Sequence, residues 1–361
     1  MEKQRTIHFI YATPYSLLDK ITMRLFKRKL YHPSLDMYNW PVPLKAPLSI
    51  TYQIAKRLAA NYQVKLYHLK ERIVIEPEEG DILLGHLWPD PKTVMYRSLE
   101  NNKFSMKCIV GPYNHDVRQW SSSIAIEDFG QPPEIPQQVL WAYKAIMQCD
   151  KYFAICGRHW IDTFEQSPFA SLKEKIVHVN MAIDTDQYPM VKTRFNQPGK
   201  RKFFYIGRHA HEKGTDLLER LAESMTDFEG GYICPGRHLK GWKKISDPTE
   251  LTPEFMKKVA QEYDVFINMS RADAQATTVL EAMSWGFPVA CTRESGYADE
   301  NFFYLDLQDE KATIETLRRI QQVSNAELEQ MALENRKVVE DTYCWSKFVS
   351  KIEKTIADWG K

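Results

Sequence analysis

The sequence predicts an α/β protein of two doubly wound domains, and three observations predict it. Short apolar runs alternate with helix-like stretches along the chain, the pattern of parallel βαβ units. The 361 residues are enough for two cores of ordinary domain size. The two segments richest in chemical functionality each follow an apolar run, which puts them at the carboxyl edge where open α/β sheets bind ligands.

In the first half, strands are expected at 7–11, 64–67, 82–86, 107–110 and 152–155, with helices at about 47–60 and 135–149. In the second half, strands are expected at 202–206, 231–234, 265–269 and 288–292. Helices follow at 215–225, 253–262, 277–285, 310–322 and 325–341. Between 184 and 200, Asp, Pro, Gly and basic residues cluster without apolar periodicity, so the linker is expected there. The expected domains are residues 1–185 and 186–342, followed by a terminal helical segment at 343–361. No internal repeat stands out.

Composition excludes some classes. The formal net charge is +1, so no global field favours nucleic acid. The six cysteines, at 108, 149, 156, 234, 291 and 344, form neither a Cys-x-x-Cys pair nor a dense framework, which favours a reducing compartment. The start of the chain leads straight into an apolar strand, and no run reaches the ~20 apolar residues of a membrane span. A cytosolic protein is expected.

The most informative segment runs from Met269 to Ala290. Asp273 and Glu281, eight positions apart, bracket a small-residue loop, Ala274-Gln275-Ala276-Thr277-Thr278, that opens into a helix. Backbone N–H groups at a helix start face an anion or sugar hydroxyls. Glu281 lies deeper, about 12 Å away if the whole span were helical. This layout suits a nucleotide-sugar, one acid holding the sugar and the other the ribose. Gly286 and Pro288 then end the helix and release a strand.

A second segment has the same form. The buried-strand run Lys202-Phe203-Phe204-Tyr205-Ile206 leads into a loop carrying Gly207, Arg208, Glu212, Lys213 and Gly214. Thr215 is a fair N-cap, and Leu217, Leu218 and Leu221 supply an apolar helix face. Arg208 and Lys213 are two cations suited to a diphosphate leaving group. Each candidate also has a plainer reading: Asp273 as a cap of the following helix, Glu281 as a solvated carboxylate, Arg208 and Lys213 as surface charges.

With those motifs in place, the chain resembles the glycosyltransferases of family four, over roughly residues 145–361. The resemblance rests on Gly207-Arg208 with Glu212-Lys213-Gly214 and on the two acids leading into Glu281-Ala282-Met283-Ser284-Trp285-Gly286. Weaker echoes are Lys175 to Tyr188, similar to the family's interdomain crossover, and Tyr343-Cys344-Trp345, similar to the start of its final helix. The resemblance implies a GT-B fold, two Rossmann-like domains facing across a cleft, with the last helix crossing back to the first. It implies transfer of a hexose, with retention, from a nucleoside-diphosphate sugar to a hydroxyl acceptor such as a glycan or a lipid-linked precursor. That sugar is a co-substrate, and no cofactor or metal is implied. The resemblance also implies catalytic roles for Arg208, Lys213, Asp273 and His115, the last in a His-Asp step facing the donor sugar. Donor contacts are implied for Gly207, Arg208, Lys213, Asp273, Ala274, Gln275, Ala276, Thr277, Thr278 and Glu281.

Departures stand beside the matches. Asp273 replaces the family's usual Glu and is one methylene shorter. Met181-Ala182 stands where Asn-Gly is usual, and the loop Tyr11 to Tyr15 has no glycine. Asp184-Thr185-Asp186 offers a metal-dependent alternative, disfavoured because it falls in a linker. A nucleotide-sugar binder without transferase activity is the other alternative. His86 and Trp88 are candidates for an acceptor site, whereas His209 and His211 lack a nearby third metal ligand. From Lys20 to Leu30, five basic residues mix with five large apolar ones, so Lys20–Lys29 is expected either to contact an anionic membrane or to be an ordinary solvated helix.

Overall fold

A computed structural model describes residues 5–11, 48–88, 90–114, 137–167, 169–225, 227–236, 238–247 and 251–359. The described chain divides into two compact units. The first runs to Ile155, takes in Phe164–Val179 and is completed by the segment from Ser346; the second comprises Cys156–Thr163 and Asn180–Trp345.

The first half contains β1 (Thr6–Tyr11), α1 (Leu48–Leu58), β2 (Gln63–His68), β3 (Ile82–Gly85), α2 (Val94–Leu99), β4 (Met106–Pro112), α3 (Gln137–Gln148), β5 (Lys151–Ile155), α4 (Arg158–Asp162) and β6 (Ile176–Val179). The second half contains β7 (Phe203–Ile206), α5 (Thr215–Ser224), β8 (Gly230–Ile233), β9 (Lys243–Ser246), α6 (Pro253–Glu262), β10 (Val265–Asn268), α7 (Thr277–Ser284), β11 (Val289–Thr292), β12 (Phe303–Leu305), α8 (Glu310–Gln322), α9 (Asn325–Thr342) and α10 (Trp345–Ala357).

Each unit holds a six-stranded parallel sheet. The orders are β2-β1-β3-β4-β5-β6 and β12-β11-β10-β7-β8-β9. Central strands are covered on both faces: every residue of β1, β3, β10 and β11 is buried. Uninterrupted apolar runs are what such strands require. At the edge of the first sheet, β2 alternates buried and exposed positions, and at the edge of the second, β9 has no buried residue.

In the second unit, Phe203, Tyr205 and Ile267 from the sheet meet Leu218 and Leu221 of α5 and Leu317 and Ile320 of α8. Side-chain caps define the helix starts. Thr252 accepts from the N–H of Phe255 ahead of Pro253, Asp309 from Ala312 and Ser324 from Glu327. In the first unit, α10 is fastened by Arg57 Nε to Glu353 at 2.7 Å and by Trp359 Nε1 donating to the Ser105 carbonyl at 2.9 Å. Among the described residues no helix is long and apolar enough to cross a membrane.

The sheet order of the second unit reverses direction between β7 and β10. The strands pair through Phe203 with Val265 and Phe204 with Phe266, yet their connections leave to opposite sides. Below this point sits a fully buried ion pair: Lys192 Nζ donates to the carbonyls of Ala260 (2.9 Å) and Tyr263 (2.6 Å) and to Asp264 Oδ1 (3.1 Å). Asp264 also accepts from the Asn196 N–H (2.8 Å), Asn196 Nδ2 (2.8 Å) and the Lys202 N–H (3.0 Å), so it joins the segment before β7 to the start of β10. Removing one member of such a pair strands the other charge, at about 3–5 kcal/mol. Asp264→Leu should therefore lower the second unit's calorimetric midpoint by roughly 6–20 °C. A shift below a few degrees would show that the pair contributes little.

Candidate functional site

The switch point between β7 and β10 is where an open α/β sheet opens a crevice at its carboxyl edge, because the two connections diverge. The loops after these strands are the two that the sequence marks. After β7, the chain makes a short 3₁₀ turn, His211–Lys213, and ends it at Gly214 with φ +65°. A side chain at Gly214 would be strained by that φ and would place Cβ 1.9 Å from the Met269 carbonyl oxygen. Glycine therefore lets the β7 loop lie directly on the end of β10.

That close approach brings Lys213 to Asp273, and the two form an ion pair through Nζ and Oδ2, with side chains 21% and 11% exposed. Around it the loops are laced together. Arg271 N–H donates to the Glu212 carbonyl at 2.9 Å, and its guanidinium grips Asp216 with two 2.6 Å bonds. Such a bidentate fork fixes orientation as well as distance, and its hydrogen bonds hold the Asp216 carboxyl below its usual pKa.

Arg208 lies apart from this pair. Its guanidinium is 72% exposed and bonds Glu212 at 3.0 Å, while its carbonyl accepts from the Tyr205 hydroxyl at 3.0 Å. Gly207 donates its N–H to the Ile233 carbonyl at 3.1 Å.

The acid loop is anchored on several sides. Asp273 N–H donates to the Glu294 carbonyl (2.8 Å) and Ala276 N–H to that of Ser295 (2.9 Å). Gln275 Oε1 accepts from the Met181 N–H at 2.6 Å, so the side chain ties the loop to the strand-like segment after β6. The Ala274 carbonyl accepts from Gly157 N–H at 2.8 Å. Ala276 is the N-cap of α7 and supplies no capping side chain, so the first-turn N–H groups at Thr277 and Thr278 are not taken up by a cap. Asp273 does not cap α7; its carboxylate is engaged by Lys213. On the second turn Glu281 accepts from the Tyr188 hydroxyl at 3.5 Å, and burial together with that carboxylate raises the Tyr188 pKa. Only the span Thr277–Ser284 is helical, so Asp273 and Glu281 are not joined by a continuous helix.

Sequence reasoning passed over four contributors. Asp216 reads as an acid favouring the first turn of its helix, Arg271 carries no assigned role because its partner is far away in sequence, and Tyr188 reads as part of the crossover. Trp160 gave no signal at all; its indole Nε1 donates to the Asp273 carbonyl at 2.6 Å.

Other candidates fall elsewhere. His115, the first loop from Ala12 to Tyr15 and the basic stretch Lys20–Lys29 lie outside the described residues. Asp184 caps a 3₁₀ turn, accepting from the Asp186 N–H at 3.2 Å and from Gln187 Nε2 at 3.0 Å. Among the described residues, no three His, Cys, Asp or Glu side chains gather closely enough to hold a metal ion. Trp88 is 39% exposed, with Lys70 Nζ 4.1 Å from its ring centroid.

His86, at the end of β3, is 7% exposed, and burial pushes its pKa down to about 4. It is neutral when folded, whereas in the unfolded chain it takes up a proton below about pH 6.5. Stability from this residue is complete above pH 6.5 and is lost as pH falls toward 4, by about 3 kcal/mol in all. His86→Gln should flatten the denaturation midpoint of the first unit between pH 6.5 and 4. An identical pH dependence in variant and wild type would contradict it.

Comparison with known proteins gives the fold. No family model matches the chain. A 109-residue stretch is 28% identical to sulfoquinovosyl transferase SQD2 of Arabidopsis thaliana, covering 28% of this chain and about a fifth (21%) of that protein. Among solved structures, sucrose-phosphate synthase from Thermosynechococcus elongatus aligns with TM-score 0.62 at 11% identity over 98% of both chains. WaaG, a glycosyltransferase involved in lipopolysaccharide biosynthesis, aligns with TM-score 0.55 at 12% identity, over 98% of this chain and 100% of its own. TarM aligns with TM-score 0.55 at 13% identity, over 78% of this chain and 55% of its own. The fold is therefore GT-B, the two-sheet architecture of these glycosyltransferases, and the resemblance in the sequence motifs agrees with it.

Proposed function

We propose that this protein is a glycosyltransferase that takes a hexose from a nucleoside-diphosphate sugar and transfers it, with retention, to a hydroxyl acceptor such as a glycan or a lipid-linked precursor. The observation that carries the proposal is the meeting of Lys213 and Asp273 at the β7/β10 switch point, beside an uncapped helix start. A cation, an acid and free backbone donors at one sheet edge suit a ligand that is anionic at one end and hydroxylated at the other.

In this reading Lys213 exchanges Asp273 for the diphosphate, and the N–H groups at Thr277 and Thr278 offset the charge that develops as the leaving group departs. Arg208, exposed and paired with Glu212, exchanges that partner for the diphosphate and adds a second cation. Asp273, released from Lys213, faces the hexose, and Glu281 accepts from the ribose hydroxyls. The bond between the anomeric carbon and the diphosphate breaks, and a new bond to the acceptor oxygen forms on the face just vacated. The acceptor proton passes to a diphosphate oxygen. Neither cofactor nor metal enters the proposed step.

A thermal-shift screen with UDP-glucose, GDP-mannose and ADP-glucose tests the reading, since a ligand at 100 times its Kd stabilises by about 2.7 kcal/mol. One of these donors should stabilise the protein and be turned over in the presence of EDTA. Lys213→Ala should cut that turnover about 100-fold, and Arg208→Ala at least about 10-fold. Glu281→Gln should weaken free nucleoside diphosphate by about 10-fold or more, because an amide cannot accept two hydroxyls as a carboxylate does. Failure of all three donors to stabilise the protein would refute the donor-site reading; loss of turnover in EDTA would refute metal independence alone.

A further inference from the structure

We infer that Trp160 is a positioning residue for Asp273, an inference that rests on the reading of Asp273 as the acid facing the donor sugar. Trp160 lies on α4, a five-residue helix that belongs to the second unit although the chain on either side of it belongs to the first. The indole is 5% exposed, and its Nε1 donates to the Asp273 carbonyl at 2.6 Å. The direction in which an Asp carboxylate points depends on its χ1 rotamer and on where the backbone dihedrals hold its Cα–Cβ bond. At Asp273 those dihedrals are held by three bonds: its N–H to the Glu294 carbonyl (2.8 Å), its C=O from Trp160 and the next C=O, at Ala274, from Gly157 N–H (2.8 Å).

The two bonds from the α4 segment act together. Gly157 is the N-cap of α4, and a Cβ on it would lie 1.4 Å from the Gly296 carbonyl oxygen, so only glycine allows this approach. The approach puts the Gly157 N–H on Ala274 and, three residues on, the Trp160 indole on Asp273, the Trp160 N–H closing the turn on the Gly157 carbonyl at 3.2 Å. His159 packs edge-on against the indole, with centroids 4.8 Å apart, which restrains the ring. Losing the indole bond frees the Asp273–Ala274 peptide, and with it the loop that holds the Asp273 Cα–Cβ bond in its present direction. A group that meets substrate through a short side chain tolerates little such freedom, because misplacement by about 1 Å costs up to 100-fold in rate.

The chemistry makes Trp160 separable from its packing. Trp160→Phe removes the N–H donor and keeps a buried aromatic ring; replacement by 3-benzothienylalanine at a reassigned codon removes the donor with almost no change of shape. The probe is whichever of UDP-glucose, GDP-mannose or ADP-glucose most stabilises the wild type, and the readout is its hydrolysis without acceptor. Both replacements should slow that hydrolysis by about 3- to 30-fold while the Kd of the matching free nucleoside diphosphate stays within about 2-fold. Added to Asp273→Asn, either should cost less than about 2-fold more, since residues acting through one another are not additive.

Hydrolysis equal to wild type in the benzothienyl protein would overturn the proposal. So would losses that multiply with Asp273→Asn, or an equal loss of affinity for the free nucleotide, each of which marks general loosening. A wild type that no probe stabilises would overturn the donor-site reading and this proposal with it, an outcome seen before any variant is made.

Discussion

The close approach of the β7 loop to the end of β10 at Gly214 is the constraint on which the Lys213–Asp273 ion pair and the second unit's carboxyl edge depend. The pair joins loops from two strands that are neighbours in the sheet but lie about sixty residues apart in the chain. Exposed ion pairs are commonly worth little. This one is partly shielded and forms only because Gly214 lets the β7 loop rest on the Met269 carbonyl, where any side chain would collide. The Arg271 fork on Asp216 and the Arg271 N–H bond to Glu212 then hold the two loops in register. Each partner of such a pair neutralises the other.

Much of this was legible in the sequence, and for identifiable reasons. The central strands β1, β7, β10 and β11 are buried over all or nearly all of their length, so they appear as mainly apolar runs. Apolar stripes such as Leu217, Leu218 and Leu221 placed helices α5 to α9 closely, although the N-cap of α5 is Gly214 and not the expected Thr215, which is the first residue of the helix. Edge elements were missed. β9, Lys243–Ser246, is polar and partly exposed, β12 has only three residues, and β6 was absorbed into the crossover. None of these needs an apolar run, because an edge strand or a short strand buries little.

The candidate site was legible in its residue types but not in its pairings. Lys213 and Asp273 were both marked as functional, yet nothing in their spacing said that they would meet, since contact across a switch point depends on sheet order. The same holds for Arg271 with Asp216 and for Tyr188 with Glu281. Gln275 was read as part of a ligand-facing loop, whereas its Oε1 is taken by the Met181 N–H. Trp160 lay beyond sequence reasoning altogether, because a tryptophan in a short helix after a strand has the signature of ordinary core. Glycosyltransferase structures that share this fold do so at 11–13% identity, so the architecture tolerates almost any sequence, and the chemistry must be argued from the few residues at the sheet edge.

The most direct measurement is a crystal structure of the protein with whichever of UDP, GDP and ADP stabilises it most. A diphosphate oxygen should lie within about 3.2 Å of Lys213 Nζ, with the Lys213–Asp273 pair opened and the ribose hydroxyls on Glu281. A nucleotide bound elsewhere, or bound here with Lys213 still held by Asp273 and no contact to the diphosphate, would contradict the proposed donor site.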